Sequence, residues 1–336
     1  MRGRASIHFR WGSGKTCGSV GDPASIGEIT ETVGVIVPVR GDGPFLSETL
    51  EAILAQEPPP ADVVVVDDAS PKPVALHETA LSRCRLVRRE VRGGPAGARQ
   101  TGLEALRTAL VALCDSDDVW ERGKLAAQLS ALEDNPGASV CFGRATVIGP
   151  DGAQTGERWE ELPAGPHGPD ALLPMLYERD PLPTSSSVVR RAAVKAVGGF
   201  DSDVPYGVED WDLWLRLLAA GAIFVCEPAA RVRYRRHASG LTADLVNLAR
   251  GGLEIHERHA SLVDAELRSR VRARDLTTLA RGFVRRRDYQ AARAALEEAA
   301  SHAPPIPRER ALALVLRVPG LRAALGRRGP YPAARS

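Results

Sequence analysis

Short apolar runs alternate with segments of helical spacing along the first 120 residues of the chain. Leu46, Leu50 and Ile53 recur every three to four residues, which predicts a helix between two apolar runs of strand length. Strands that alternate with helices favour right-handed crossovers and a mostly parallel sheet, whose ligands bind at the carboxyl ends of the strands. The strands predicted in this part of the chain are residues 33–39, 63–66 and 85–89 and a central strand that runs from residue 110 to Asp115.

The middle of the chain continues the α/β pattern with less regular spacing. The Gly-rich segment 93–102 predicts a tight loop that opens a helix continuing through Leu106. Segment 157–169 is too rich in Pro and Gly for regular structure, and we interpret it as an active-site flap. Further helices are predicted at 122–133, 192–197 and 206–217, and further strands at 138–148, 185–189, 223–226 and 231–235.

The pattern divides the chain into three regions. Residues 1–32 mix Arg, Gly and Ser with isolated apolar residues and predict a flexible leader, whereas residues 33–242 hold the α/β pattern. Residues 243–336 predict an Arg-rich helical extension without a catalytic signature. Its segment 311–316 predicts a basic amphipathic helix with three alternative roles, namely peripheral contact with an anionic membrane, a cover for the catalytic domain, or a homodimer contact.

Composition and charge narrow the class of protein. The apolar fraction of 44% among 336 residues predicts a sizeable core, and the formal net charge of +2 argues against a dedicated nucleic-acid binder. The 5 cysteines include no Cys-x-x-Cys pair, and no apolar run approaches the ~20 residues of a membrane span. We therefore expect reduced thiols and a cytoplasmic protein, with or without peripheral contact at the inner face of the membrane.

Carboxylates cluster where two of the predicted strands end. Two ionised carboxylates about 4 Å apart repel by ~4 kcal/mol at an effective dielectric of 20, so a fold that gathers three needs a compensating cation. Asp115 and Asp117 lie on one side of an extended backbone and suit a hard divalent metal, Mg²⁺ or Mn²⁺, that is shared with substrate phosphates. The acids at the two strand ends are Asp67, Asp68, Asp115, Asp117 and Asp118.

The residues alone allow other interpretations of the acidic loop. Asp118 could cap a helix that starts near Glu121. An EF-hand loop needs Asp or Asn and then Gly where Val119 and Trp120 stand, so that interpretation fails. Asp-x-Asp-x-Val after an apolar strand also fits the short motif of haloacid-dehalogenase-type phosphatases.

Six sequence blocks resemble family 2 glycosyltransferases with the GT-A fold, in order and near the family's spacings. They include Asp-Ser-Asp-Asp-Val-Trp at 115–120 and Glu-Asp-Trp-Asp-Leu-Trp at 209–214. The resemblance covers residues 33–242 and implies a Rossmann-like, mostly parallel mixed sheet flanked by helices. It excludes the phosphatase, which would carry its Asp-x-Asp on the first strand of the core. The other blocks lie at 35–40, 66–70, 97–102 and 198–201.

The resemblance implies that a nucleotide-sugar donor binds across the edge of the sheet. An arginine suits the diphosphate, because a guanidinium can donate to two of its oxygens at once. The alternatives are that the acids cap a turn and that the arginine is a solvated charge on a helix. The residues implied are Pro38, Val39 and Arg40 near the nucleotide, Asp67 or Asp68 near the base, and Arg99 near the diphosphate or sugar.

The resemblance also implies a metal site that holds Mn²⁺ or Mg²⁺. Asp117 would be the direct ligand, Asp115 would bind the ribose, the donor sugar or the metal, and Asp118 would support them. His237 matches a late histidine that completes the metal shell in some GT-A enzymes. A structural histidine at a basic strand end is the alternative for His237.

Glu209 and Asp210 resemble the catalytic pair of the family. Asp210 would be the general base that takes the proton of the acceptor hydroxyl, so that attack opposite the nucleotide inverts the anomeric carbon. Helix capping is the alternative for this pair. Trp211 is a candidate for a sugar platform or for core packing.

These observations predict a metal-dependent inverting glycosyltransferase. No Gln-x-x-Arg-Trp block of processive synthases follows Asp210, so we expect transfer of one sugar from a UDP-, dTDP- or GDP-sugar. The acceptor would be a hydroxyl of a glycan, a lipid-linked molecule or a small molecule. The alternatives are a sugar-1-phosphate nucleotidyltransferase, whose Gly-rich loop fits residues 40–44 poorly, and a non-catalytic nucleotide-sugar-binding protein.

Overall fold

A computed structural model of the chain describes residues 32–41, 43–160, 162–205, 207–238, 240 and 244–317. The predicted flexible leader therefore lies outside the described residues apart from its last position.

Among the described residues, two short 3-10 helices, Thr184–Ser186 and Ala260–Leu262, accompany the main elements. The strands are β1 (Val33–Val39), β2 (Asp62–Asp67), β3 (Arg85–Arg88), β4 (Leu110–Leu113), β5 (Val119–Trp120), β6 (Ala138–Ile148), β7 (Gln154–Trp159), β8 (Gly165–His167), β9 (Val188–Arg190) and β10 (Ile223–Arg235). The helices are α1 (Leu46–Leu54), α2 (Glu78–Leu81), α3 (Gly94–Ala105), α4 (Lys124–Asp134), α5 (Pro169–Glu178), α6 (Arg191–Ala196), α7 (Glu209–Ala219), α8 (Leu245–Arg258), α9 (Ala265–Arg285), α10 (Tyr289–His302) and α11 (Pro307–Arg317).

The sheet is mixed, and its first half is parallel as predicted. The strand order is β3-β2-β1-β4-β9-β6-β10-β5, with β7 beside β6 and β8 beside β10. Strand β1 pairs in parallel with β2 and with β4, so that Val39 lies opposite Asp67 and Ile36 opposite Leu113. The carboxyl ends of these three strands meet at one edge, which is where ligands of such sheets bind.

Each face of the sheet has its own apolar core, because successive side chains of a strand point to opposite faces. Val35 and Val37 of β1 pack with the apolar sides of α1 and α4. Ile36 packs on the other face with residues of α3 and α7. Gly102 lets α3 approach β1, because a Cβ at this position would lie 2.5 Å from a side-chain carbon of Ile36.

The helices of the Arg-rich extension pack against the α/β region and against each other. Ile255 of α8 and Val271 of α9 belong to the same apolar cluster as Trp214 of α7. Leu316 of α11 is buried in a cluster with Ala280 and Ala292. Within the described ranges, no helix combines the length and the apolarity needed to cross a bilayer.

Several segments differ from the sequence predictions. Most of the Gly-rich segment 93–102 is helix, since α3 already starts at Gly94. The φ of Gly94 is +66°. Segment 157–169 contains the end of β7 and all of β8. The strand predicted at 185–189 starts only at residue 188, because Ser186 Oγ donates to the Pro183 carbonyl (2.7 Å) and closes a 3-10 turn. The two strands predicted at 223–226 and 231–235 are one strand, β10, with a register shift between them.

Candidate active site

Buried hydrogen bonds hold the acidic loop that follows β4. Asp118 is completely buried, and its carboxylate accepts hydrogen bonds from Ser185 Oγ (2.5 Å) and from the backbone N of Arg235 (2.8 Å). Ser185 Oγ in turn accepts a hydrogen bond from the backbone N of Asp115 (2.9 Å). The loop is therefore fixed to the 3-10 helix on one side and to β10 on the other.

Asp118 supports the loop and does not cap a helix. The next helix, α4, begins at Lys124, and its cap residue is Gly123, so the capping interpretation of Asp118 is wrong. Burial, together with the negative charges of Asp115 and Asp117, raises the pKa of Asp118 well above its ordinary value.

Asp117 of the acidic loop contacts His237. His237 Nε2 lies 2.8 Å from Asp117 Oδ2, and the two side chains are 16% and 29% exposed. Burial, and next the charge of Asp115, raise the pKa of Asp117. A bound cation would offset this unfavourable concentration of negative charge.

Arg99 connects the acidic loop to α7. Its guanidinium forms ion pairs with Asp115 (2.5 Å) and with Glu209, and the Arg99 and Glu209 side chains are 5% and 1% exposed. Asp115 therefore contacts Arg99 through one of its two carboxylate oxygens. Among the described residues, no three His, Cys, Asp or Glu side chains are clustered to hold a metal ion.

Asp210 lies in the first turn of α7. Its carboxylate accepts hydrogen bonds from Thr184 Oγ1 and from the backbone N of Trp211 (2.8 Å). A second carboxyl group, Asp180, faces it and accepts a hydrogen bond from the backbone N of Leu182 (2.9 Å). Burial and the charge of Asp210 raise the pKa of Asp180 well above its ordinary value.

Two consecutive residues of the 3-10 helix bring these two groups of acids together. Thr184 contacts Asp210, and Ser185 contacts Asp118 and the backbone of Asp115. The carboxylate predicted to be the base and the loop predicted to bind the metal therefore lie at one place in the fold.

The residues predicted to lie near the nucleotide are at the end of β1. Val39 is buried, Pro38 is partly buried and Arg40 is exposed. The Val39 carbonyl accepts a hydrogen bond from the backbone N of Asp68 (3.0 Å). The end of β1 and the turn after β2 therefore form one surface beside the acidic loop.

The turn after β2 uses the Asp67 carboxylate itself. Asp67 is fully buried and accepts hydrogen bonds from the backbone N atoms of Ser70 (2.9 Å) and Val74 (3.2 Å) and from Arg88. Burial raises the pKa of Asp67, but these hydrogen bonds outweigh burial, so its pKa lies below the ordinary value.

Asp68 is also buried, and one carboxylate oxygen accepts a hydrogen bond from the backbone N of Gly93 (2.8 Å). The contacts of Asp67 agree with the turn-capping alternative, whereas the Asp68 carboxylate contacts Gly93 at the start of α3 and Arg89. A contact of either with the base of a nucleotide stays a prediction.

Comparison with known families assigns the first part of the chain. Residues 34–195 match the family described as glycosyl transferase family 2. This segment is a family 2 glycosyltransferase domain. The matched segment contains the acidic loop and ends inside α6, before Glu209 and Asp210.

Relatives and solved structures agree with this assignment. The chain is 32% identical over 206 residues to the pre-mycofactocin glycosyltransferase of Mycobacterium tuberculosis. The aligned segment covers 60% of this chain and 42% of the relative. The chain spans roughly half the length of these curated relatives, at 42% and 56%.

Two solved structures share the GT-A fold with this chain. One is Staphylococcus aureus TarS 1–349 in complex with UDP-GlcNAc, with a TM-score of 0.57, 17% identity and coverage of 88% of this chain and 86% of that one. The other is the mannosyltransferase PcManGT from Pyrobaculum calidifontis in complex with GDP-Man and Mn²⁺, with a TM-score of 0.52, 19% identity and coverage of 89% and 84%.

Sequence reasoning missed several residues of the candidate active site. Arg235 is 4% exposed. It donates hydrogen bonds to the Asp117 carbonyl (2.9 Å) and to the Glu48 carboxylate (2.6 Å), so it links the acidic loop to α1. Thr184 and Ser185 belong to a Pro-Thr-Ser-Ser-Ser run, which by itself is typical of a surface loop. The burial of this run is the signal that marks its residues as part of the site, and burial can be read only from the folded structure.

Trp211 lies in the apolar core. It is 8% exposed, and its Nε1 donates a hydrogen bond to the Leu176 carbonyl (2.5 Å). Its indole has no open face for a sugar ring, so the structure favours the core-packing alternative.

Proposed function

We propose that the chain is a metal-dependent inverting glycosyltransferase that moves one sugar from a nucleotide-sugar donor to an acceptor hydroxyl. The observation that carries the proposal is the contact of Thr184 with Asp210 and of Ser185 with the acidic loop. A transfer of this kind needs a base at the acceptor and a site for negative charge at the leaving diphosphate. The two neighbouring groups of acids supply these two functions.

Asp210 is the proposed base. The acceptor oxygen attacks the anomeric carbon while its proton passes to the Asp210 carboxylate. The bond from that carbon to the diphosphate oxygen breaks, the electron pair leaves with the nucleoside diphosphate, and the anomeric carbon is inverted. Burial and the charge of Asp210 raise the pKa of the neighbouring Asp180, which favours the protonated form of Asp180.

The donor set of the acidic loop suits Mn²⁺ or Mg²⁺. Asp117 and His237 would hold the ion, and Asp115 would bind either the ion or the donor after exchange of its contact with Arg99. The ion supplies positive charge for the departing diphosphate. The Mn²⁺ and GDP-Man named for PcManGT, which has the same fold, support this part of the proposal.

The proposed donor is a UDP-, dTDP- or GDP-sugar. UDP-GlcNAc in TarS and GDP-Man in PcManGT support a donor of this class. The acceptor is a hydroxyl of a glycan, a lipid-linked molecule or a small molecule. We propose that residues 149–184 and the extension from residue 243 shape the acceptor site, while residues 33–242 form the catalytic domain.

A product assay separates this function from its alternatives. UDP-, dTDP- and GDP-sugars are incubated with the protein and acceptor mixtures, with Mn²⁺ or with EDTA. Release of a nucleoside diphosphate that requires Mn²⁺, with an inverted anomeric signal in the product by NMR, supports the proposal. Exchange of pyrophosphate with a nucleoside triphosphate would identify a nucleotidyltransferase instead. Tight donor binding without turnover for every donor would identify a binding protein.

A further inference from the structure

The two residues that follow Asp210 on α7 contact two histidines of the helical extension. Trp211 packs edge-on against His256, with ring centroids 5.1 Å apart. Asp212 Oδ1 lies 2.9 Å from His259 Nε2. His256 and His259 are three residues apart at the end of α8 and therefore face the same side.

His256 is buried, and both of its ring nitrogens are used. Nδ1 lies 2.5 Å from Asp275 Oδ2 of α9, and Nε2 lies 2.6 Å from the Tyr177 carbonyl of α5. A carbonyl oxygen only accepts hydrogen bonds, so Nε2 carries a proton and donates it. Tyr177 Oη returns a hydrogen bond to the His256 carbonyl (2.9 Å). Helices α5, α8 and α9 are thus joined at the point where Trp211 packs.

Asp212 lies between His259 and Arg216. Its side chain is 2% exposed, and Arg216 Nε donates to its second oxygen (2.7 Å). Because both carboxylate oxygens are engaged in a buried place, Asp212 has little freedom to change its rotamer. The contact with His259 therefore restrains the backbone of α7 as well as the side chain.

We propose that His259 and His256 are positioning residues for sugar transfer, because they hold the first turn of α7 through Asp212 and Trp211 and thereby set the place of the Asp210 carboxylate. This inference rests on the proposed function, in which Asp210 is the base. It assigns a role in the reaction to the extension, which lies outside the segment matched by the family.

The arrangement of contacts around α7 explains why this restraint matters. The Glu209 pair with Arg99 and the Asp210 bond to Thr184 hold the side of α7 that faces the acidic loop. Trp211 points to another side of the helix, since successive helical residues are about 100° apart, whereas Asp212, three residues after Glu209, lies nearer to the Glu209 side. Contacts on both sides prevent the helix from rotating. A displacement of a reacting group by about 1 Å can lower a rate by ~100-fold.

The test compares His259→Ala, His259→Gln and the matched control His302→Ala, which removes a histidine of the extension that contacts Arg272 instead. Donor turnover is measured as kcat and KM, donor affinity by calorimetry, and folding by circular dichroism and thermal unfolding. We expect His259→Ala to lower kcat by about 10- to 100-fold, with KM and Kd for the donor within about twofold of wild type. His259→Gln should keep kcat within about threefold, because its amide can donate to Asp212 from a similar position. His302→Ala should match wild type.

A double-mutant cycle tests the path through Asp212. If His259 acts through Asp212, His259→Ala combined with Asp212→Asn should be no slower than the slower single variant within about twofold. Multiplicative losses would overturn the proposal. A folded His259→Ala with wild-type kcat would also overturn it, as would an equal loss of kcat in His302→Ala. Asp210→Asn is measured in parallel: if it is inactive while His259→Ala is fully active, only the positioning role fails, and if Asp210→Asn is active, the proposed base fails.

Discussion

Arg99 and Glu209 form a buried ion pair that joins α3 to the first turn of α7. The same guanidinium binds Asp115 in the acidic loop at 2.5 Å. One arginine therefore sets the distance between the loop proposed to bind the donor and the helix that carries the proposed base. The pair lies away from solvent, so salt screens it weakly and its geometry is well defined.

Glu209→Gln is expected to lower the free energy of unfolding by about 3 kcal/mol, because the Arg99 charge stays buried and loses one of its two carboxylate partners. Urea unfolding followed by circular dichroism measures the change. Glu51→Gln on the exposed side of α1 is the control and should stay within about 0.5 kcal/mol of wild type. A loss below about 1 kcal/mol in Glu209→Gln would contradict the importance of the pair.

Ser185→Ala is expected to cost about 1–3 kcal/mol of stability, because Asp118 loses a donor and the buried backbone N of Asp115 loses its acceptor. Sugar transfer should fall with it, since the acidic loop loses its link to the 3-10 helix. The control is Ser82→Ala, which removes a serine hydroxyl that donates to the Thr79 carbonyl in an exposed turn. Equal stability of the two variants would show that Ser185 does not hold the loop.

Asp117→Ala and His237→Ala are expected to remove the gain in nucleoside diphosphate affinity that Mn²⁺ provides. Calorimetry with UDP and GDP, each with Mn²⁺ or with EDTA, measures this gain. We expect wild type to bind at least about tenfold more tightly with Mn²⁺. Asp203→Ala, which removes an exposed carboxylate, should behave as wild type. A full Mn²⁺ effect in Asp117→Ala would place the metal elsewhere.

Asp212 should make stability depend on pH in the acidic range. Burial raises the pKa of Asp212, but the hydrogen bond from His259 and the charge of Arg216 outweigh burial, so its folded pKa lies below 3.8. The unfolded chain then binds more protons, so the stabilisation is present above the unfolded pKa and is lost as pH falls through the folded pKa.

Asp212→Asn should therefore be less stable than wild type by about 1–3 kcal/mol at pH 7 and at pH 5. The difference should shrink as pH falls below about 3.8. Urea unfolding at pH 7, 5 and 3.5 measures it. A difference that is the same at all three pH values would mean that the Asp212 charge contributes nothing to stability.

The sequence predicts the parallel half of the sheet and the place of its acids well, and the reason is physical. Valine-rich runs such as 63–66 have few alternatives to a buried strand, and the carboxyl ends of parallel strands must share one edge. Resemblance to the family supplied the roles of Asp117 and Asp210. Asp117 and His237 are in contact, and their role as metal ligands stays a prediction.

Contacts between distant elements could not be predicted in the same way. The Thr184–Ser185 link depends on the 3-10 turn that replaces the start of a predicted strand. Spacing alone leaves open whether Trp211 faces the donor or the core, because that depends on how α8 packs against α7. Asp115 pairs with Arg99, and no periodicity in the sequence encodes this choice of partner.

The most direct test of the central claim is Asp210→Asn, measured for donor turnover and for donor binding in the presence of Mn²⁺. We expect kcat to fall by at least about 100-fold, because the amide cannot take the proton of the acceptor hydroxyl. The Kd of the nucleotide-sugar should stay within about twofold of wild type, since Asp210 faces the acceptor. Turnover at the wild-type rate in a folded Asp210→Asn protein would contradict the assignment of the base and, with it, the account of how the two groups of acids cooperate.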